Sequence, residues 1–95
     1  MKTVKGVKID SGILSTIKNH VTKTSAGTYL VTAESFAGVK ASEILNDYMT
    51  DMNRFAKANG EKFEVLGAAY GDFDKSYEII ISDVMIESLV DQIIA

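Results

Sequence analysis

Lys40 to Gly60, KASEILNDYMTDMNRFAKANG, carries the periodicity that most constrains this chain. Apolar or small residues recur at Ala41, Leu45, Tyr48, Met52, Phe55 and Ala56, a spacing that aligns one stripe on a 3.6-residue helix while the opposite face stays polar. Ser42, or a residue just before it, is placed to accept from free backbone N–H groups at the start. Asn59-Gly60 supplies the left-handed turn that commonly ends a helix. Such a stripe must be buried, so the flanking segments decide the fold.

Those segments read as strands. Thr28 to Phe36 alternates, with Tyr29, Val31 and Ala33 pointing one way and Leu30, Thr32, Glu34 and Phe36 the other. Ala37-Gly38 leads into the helix. Beyond it, Lys62 to Tyr70 and Lys75 to Ile81 are joined by Gly71-Asp72-Phe73-Asp74, an arrangement that predicts an antiparallel hairpin. Phe63, Val65, Ala69, Tyr77, Ile79 and Ile81 are expected to face the helix. The other face then carries Leu30, Leu66, Tyr70 and Ile80, more apolar surface than an open sheet leaves in water, and it calls for a cover: the N-terminal helix, the C-terminal segment or a second copy of the chain.

The ends supply two shorter helices. Residues 1–9, with Val4, Val7 and Ile9, predict a short edge strand or an extended arm. Asp10-Ser11 caps a helix running through Val21 with Ile13, Leu14, Ile17 and Val21 as its stripe, and Thr22 to Gly27, TKTSAG, reads as a loop. Ser82 or Asp83 caps a last helix whose stripe is Ile86, Leu89, Val90, Ile93 and Ile94. Leu89, Val90, Ile93 and Ile94 are its candidate oligomer interface. The expected fold is α+β: a mainly antiparallel three- or four-stranded sheet packed on a central helix, with short N- and C-terminal helices. At 95 residues it forms a single domain, comprising an arm and helix over 1–27, a strand-helix-strand-strand core over 28–81 and a terminal helix over 82–95.

Inventory excludes several chemistries. Without Cys there are no thiolate zinc sites, iron–sulfur clusters or cysteine nucleophiles. His20 lies beside the first stripe without a neighbouring carboxylate or serine and reads as a surface or boundary residue. Asp72-Phe73-Asp74 has two carboxylates in a turn but lacks the later Gly and Glu of a calcium loop, and Gly67 and Gly71 have no phosphate-cradling spacing. Met49, Met52 and Phe55 read as core. No serine sits in a nucleophile elbow, so the chain is expected to be neither an enzyme nor the holder of a cofactor or metal. No run has the length of a signal-peptide core or a bilayer span, which predicts a cytoplasmic protein without membrane association.

Charge is unevenly distributed within the net value of −3. Residues 1–40 hold six lysines against Asp10 and Glu34, a balance of +4; residues 41–95 hold four basic against eleven acidic residues, a balance of −7. Glu43, Asp47 and Asp51 recur every fourth residue on the central helix, and Asp83, Glu87 and Asp91 repeat that spacing on the last. Like charges at this spacing repel by a few tenths of a kcal/mol per pair, which marks the six as candidate partner-binding residues for a basic surface. Solvated helix faces are the plainer explanation. An acidic chain is not expected to bind nucleic acid directly, because phosphate neutralisation needs clustered Lys and Arg.

Thr28 to Asp83 also resembles small bacterial domains of strand-helix-strand-strand topology. FEVLGAAYGDFDKSYEIIIS, Phe63 to Ser82, is similar in layout to the last hairpin of dodecin-like proteins, and AKANGEKFEV resembles the helix-to-strand turn of periplasmic domains of the YdgH and BhsA kind. The resemblance implies that fold and a tendency to self-associate. Dodecin-like flavin binding uses a tryptophan, which this chain lacks, so flavin is not implied. The resulting expectation is a small non-enzymatic protein-binding module, specifically an inhibitor encoded by a phage or mobile element that occupies a basic surface of a nucleic-acid-handling protein. The alternative is a homo-oligomeric structural or small-ligand-binding module.

Overall fold

The computed structural model describes residues 1–70 and 74–95, apart from the side chains of 68–70 and 74. The expectations placed on Gly71, Asp72 and Phe73 lie outside the described residues. The elements run β1 (Lys2–Val4), β2 (Val7–Ile9), α1 (Ser11–His20), β3 (Val21–Lys23), β4 (Tyr29–Glu34), α2 (Ala41–Ala58), β5 (Phe63–Tyr70), β6 (Asp74–Ile81) and α3 (Val84–Ile94). An antiparallel sheet of order β3-β4-β6-β5 carries the fold, and β1 with β2 forms a separate two-stranded hairpin. The α+β architecture is the expected one.

Local chemistry explains the element ends. Asp10 accepts from the Ile13 N–H at 2.8 Å and starts α1, while Asp83 accepts from the Ile86 N–H at 3.0 Å and starts α3. The start of α2 differs from expectation: Lys40 is its N-cap and no side chain bonds there. Its far end closes as the sequence predicts, with Gly60 at φ 83° and the Glu61 N–H donating back to the Ala56 carbonyl at 2.6 Å. Residues 1–9 fold back as a hairpin through Lys5-Gly6, both left-handed, which buries Val7 and Ile9.

Inward-facing positions of the sheet follow the period of two. Tyr29, Val31, Ala33, Ile79 and Ile81 are buried and form one cluster with Leu45, Met52 and Phe55 of α2, Ile13 and Ile17 of α1, and Ile86, Leu89 and Val90 of α3. All three helices thus pack on one face. Of the three expected covers for the second face, the N-terminal helix and the C-terminal segment are thus corrected to the first face. Val21–Lys23, expected as the end of a helix and part of a loop, instead pairs with β4 as an extra strand, and the widened sheet gives α1 and α3 room beside α2. Leu14 is accordingly 43% exposed, and Thr16 takes the buried position on α1.

The opposite face holds Thr22, Leu30, Thr32, Ser76, Glu78 and Ile80, alternating polar with apolar, as a sheet face left in water does. The Thr28 hydroxyl donates to Glu78 there at 2.7 Å. A bulge between Val65 and Gly67 shifts the β5 register, so that Ala69, expected to face the helix, stands opposite Ser76, and Tyr70, expected on the other face, stands opposite Lys75.

Candidate functional site

The two acidic ladders divide once folded. Asp51 accepts from the Thr16 hydroxyl at 2.7 Å and from Arg54 at 2.9 Å; Arg54 also pairs with Asp10, so these four side chains clamp α1 to α2. Arg54, with help from the Ile13 N–H, holds the Asp10 carboxyl below its ordinary value. Asp83 is engaged as a helix cap. Asp91 accepts from the Tyr29 hydroxyl at 2.5 Å and from Lys23 at 3.0 Å, which moors α3 to β3 and β4. The Tyr29 bond is the main influence holding the Asp91 carboxyl low, with Lys23 adding to it. Burial raises the phenol of Tyr29, and the adjacent carboxylate raises it further.

Glu43 and Asp47 remain on the exposed face of the N-terminal half of α2, and Glu87 is half-buried on α3. Folding therefore brings two lysines to α3, where Lys23 pairs with Asp91 and Lys5 donates to Gln92. The apolar stripe of α3 is committed to the chain's own core: Leu89 and Val90 are buried, and Ile93 and Ile94 pack against the same cluster. Leu89 and Val90 are thus corrected from interface to core residues, because β3 brings the sheet within reach of α3. The exposed apolar residues of α3 are Val84 and Met85, in its first turn.

His20 is half-buried and stacks on Tyr48, with ring centroids 3.9 Å apart and planes 15° off parallel. Burial lowers its pKa. Among the described residues no three His, Asp or Glu side chains gather as a metal-holding group, and no helix is long and apolar enough to cross a membrane.

Protein-family models, curated proteins and solved structures yield no match to this chain. The site is therefore read from its own geometry. Two features stand out besides the acids. Phe36 is 77% exposed at the base of a two-residue turn through Ala37-Gly38, where Phe36 and Val39 exchange both backbone hydrogen bonds, at 3.1 and 2.9 Å. Between α2 and β5 lies a groove of about 210 Å³ with Met49, Met52, Phe63 and Val65 in its lining. The sequence places Phe36 on a strand and does not show the turn: Gly38 suits a left-handed position, but Ala37, at φ 51°, is not a residue that favours one.

Proposed function

We propose that this chain is a small non-enzymatic protein-binding module whose N-terminal half of α2 engages a basic surface of another protein. One observation carries the reading: Glu43 and Asp47 stand one helical turn apart and exposed, whereas the neighbouring Asp51 is engaged by Thr16 and Arg54. Two exposed carboxylates on a helix cost the free protein little and speed encounter with a positive patch. The specific form we favour is an inhibitor that occupies the nucleic-acid-binding groove of a nuclease or recombination protein, which is basic by necessity.

The test uses a panel of purified nucleases and recombination proteins, with binding followed by interferometry at low and high salt and DNA cleavage assayed in parallel. A target should be bound in a salt-sensitive manner and its cleavage inhibited, and the double substitution Glu43→Lys with Asp47→Lys should abolish both while the circular dichroism spectrum is retained. Binding that survives the double reversal would refute the assignment to this face. Failure to engage any member of the panel would remove the inhibitor reading.

A further inference from the structure

We propose that Asn59 is a site of spontaneous deamidation, held back while the N-terminal hairpin is docked, and that its product loosens the hairpin, so that Asn59-Gly60 acts as a one-way timer. Asn59 is followed by Gly60, whereas Asn19, Asn46 and Asn53 precede His20, Asp47 and Arg54. The difference is chemical. A glycine leaves its backbone nitrogen unshielded, and Gly60 is exposed at the end of α2. That nitrogen attacks the Asn59 side-chain carbon Cγ: the new C–N bond forms, the Cγ–Nδ2 bond breaks, and the Gly60 amide proton departs with the side-chain nitrogen as ammonia. Water then opens the five-membered imide at either carbonyl, giving aspartate, or isoaspartate with the chain rerouted through Cβ.

The docked fold keeps the reacting atoms apart. Asn59 stands at ψ 20°, which nearly eclipses its own nitrogen with that of Gly60 and turns Cβ away, whereas the imide ring needs Cβ and the Gly60 nitrogen on one side. The side chain is pinned as well. Oδ1 accepts from the Lys8 N–H at 2.8 Å, and Nδ2 donates to the carbonyls of Lys8 at 2.9 Å and Phe55 at 2.8 Å. Gly60 itself donates to the Lys57 carbonyl at 3.3 Å. Two of the three side-chain bonds run to β2, so separation of the hairpin from α2 is the opening that frees the amide, and the reaction follows the population of that open form.

The product does not fit the place it is made in. Nδ2 points at two carbonyl oxygens, and a carboxylate sets an oxygen without a proton against both, at the negative end of the α2 dipole. Isoaspartate in addition lengthens the backbone inside the turn where the Glu61 N–H reaches the Ala56 carbonyl at 2.6 Å. Either product weakens the tie between α2 and β2. The change runs one way, because the ammonia is lost to solvent. It involves neither Glu43 nor Asp47 and stands apart from the foreign-partner reading.

Peptide mapping by mass spectrometry, following Asn59 through a neutral incubation, tests the gate on the intact protein, the peptide AKANGEK and two variants that delete the same buried methyl groups, Val7→Ala in the hairpin and Val31→Ala in the sheet. The intact protein should convert about tenfold more slowly than the peptide, and Val7→Ala about tenfold faster than the intact protein, with Val31→Ala close to the parent. Ile9→Val and Ile79→Val, also buried, replace that pair where either member fails to fold. Hydrogen exchange on Asn59→Asp should quicken about tenfold across β2 and stay unchanged in β4. Conversion of the intact protein at the peptide's rate, acceleration by the sheet variant equal to that by the hairpin variant, an Asn59 no faster in the hairpin variant than in the parent, or an Asn59→Asp hairpin that exchanges like the parent's would each overturn the inference.

Discussion

The bond between the Tyr29 hydroxyl and Asp91 joins a fully buried ring to a carboxylate that is still 37% exposed, and it ties α3 to β4. Tyr29→Phe should cost about 1 kcal/mol in urea unfolding, less than is usual for a bond to a charged group because water already screens the carboxylate. Asp91→Asn should cost somewhat more, because it also removes the Lys23 ion pair, and the double variant less than the sum of the two, since the Tyr29 bond is lost in each. His20 gives a pH dependence whose sign follows from burial. Its folded pKa lies below the ordinary 6.5, so the unfolded chain takes up a proton first as pH falls. Stability contributed by neutral, stacked His20 is therefore complete above about 6.5 and declines as pH drops through its folded pKa. Melting temperatures across that window should fall for the parent more steeply than for His20→Gln.

Among the secondary-structure elements, the N-terminal hairpin adds to its buried Val7 and Ile9 a polar tie from one side chain at the end of α2. Asn59 donates to the Lys8 carbonyl at 2.9 Å and accepts from the Lys8 N–H at 2.8 Å, closing a paired bond against β2, and it also donates to the Phe55 carbonyl at 2.8 Å. Asn59→Ala should destabilise the fold by about 1–2 kcal/mol. In that variant hydrogen exchange should quicken at the Lys8 amide before it does in α2, because the Lys8 N–H loses its Asn59 acceptor while the helix keeps its own backbone bonds. The last helix behaves differently. Leu89 is only 5% exposed within the core, so Leu89→Asp should unfold the protein, seen as loss of the cooperative melt, instead of releasing folded subunits.

For the molecule as a whole, a radius of gyration of 12.9 Å is close to the roughly 12–13 Å of a compact chain of this length, and one continuous core unites the sheet, the helices and the hairpin. The core therefore closes within a single chain. Reversing Glu43 and Asp47 should likewise leave thermal stability within about 0.5 kcal/mol of the parent, since neither supports the fold. A larger loss in a chemical denaturation curve would show that these acids are structural.

The amphipathic stripe of α2, the caps at Asp10 and Asp83, the Asn59-Gly60 stop and the β5–β6 hairpin were all legible in the amino-acid sequence, because each depends on side chains within a few residues of one another. Assignments that rest on partners far along the chain were not legible. Thr22 looks like a loop residue until β4 supplies its ladder, and Asp51 and Asp91 look like members of uniform acidic faces until Thr16 and Tyr29 arrive from elsewhere to bond them. The candidate site divides the same way: Glu43 and Asp47 were visible as charges, but their standing apart from Asp51 was decided by packing. Local periodicity fixed which face of each element is apolar; only tertiary contacts decided which face meets which, leaving the Phe36 turn and the α2–β5 groove open to solvent.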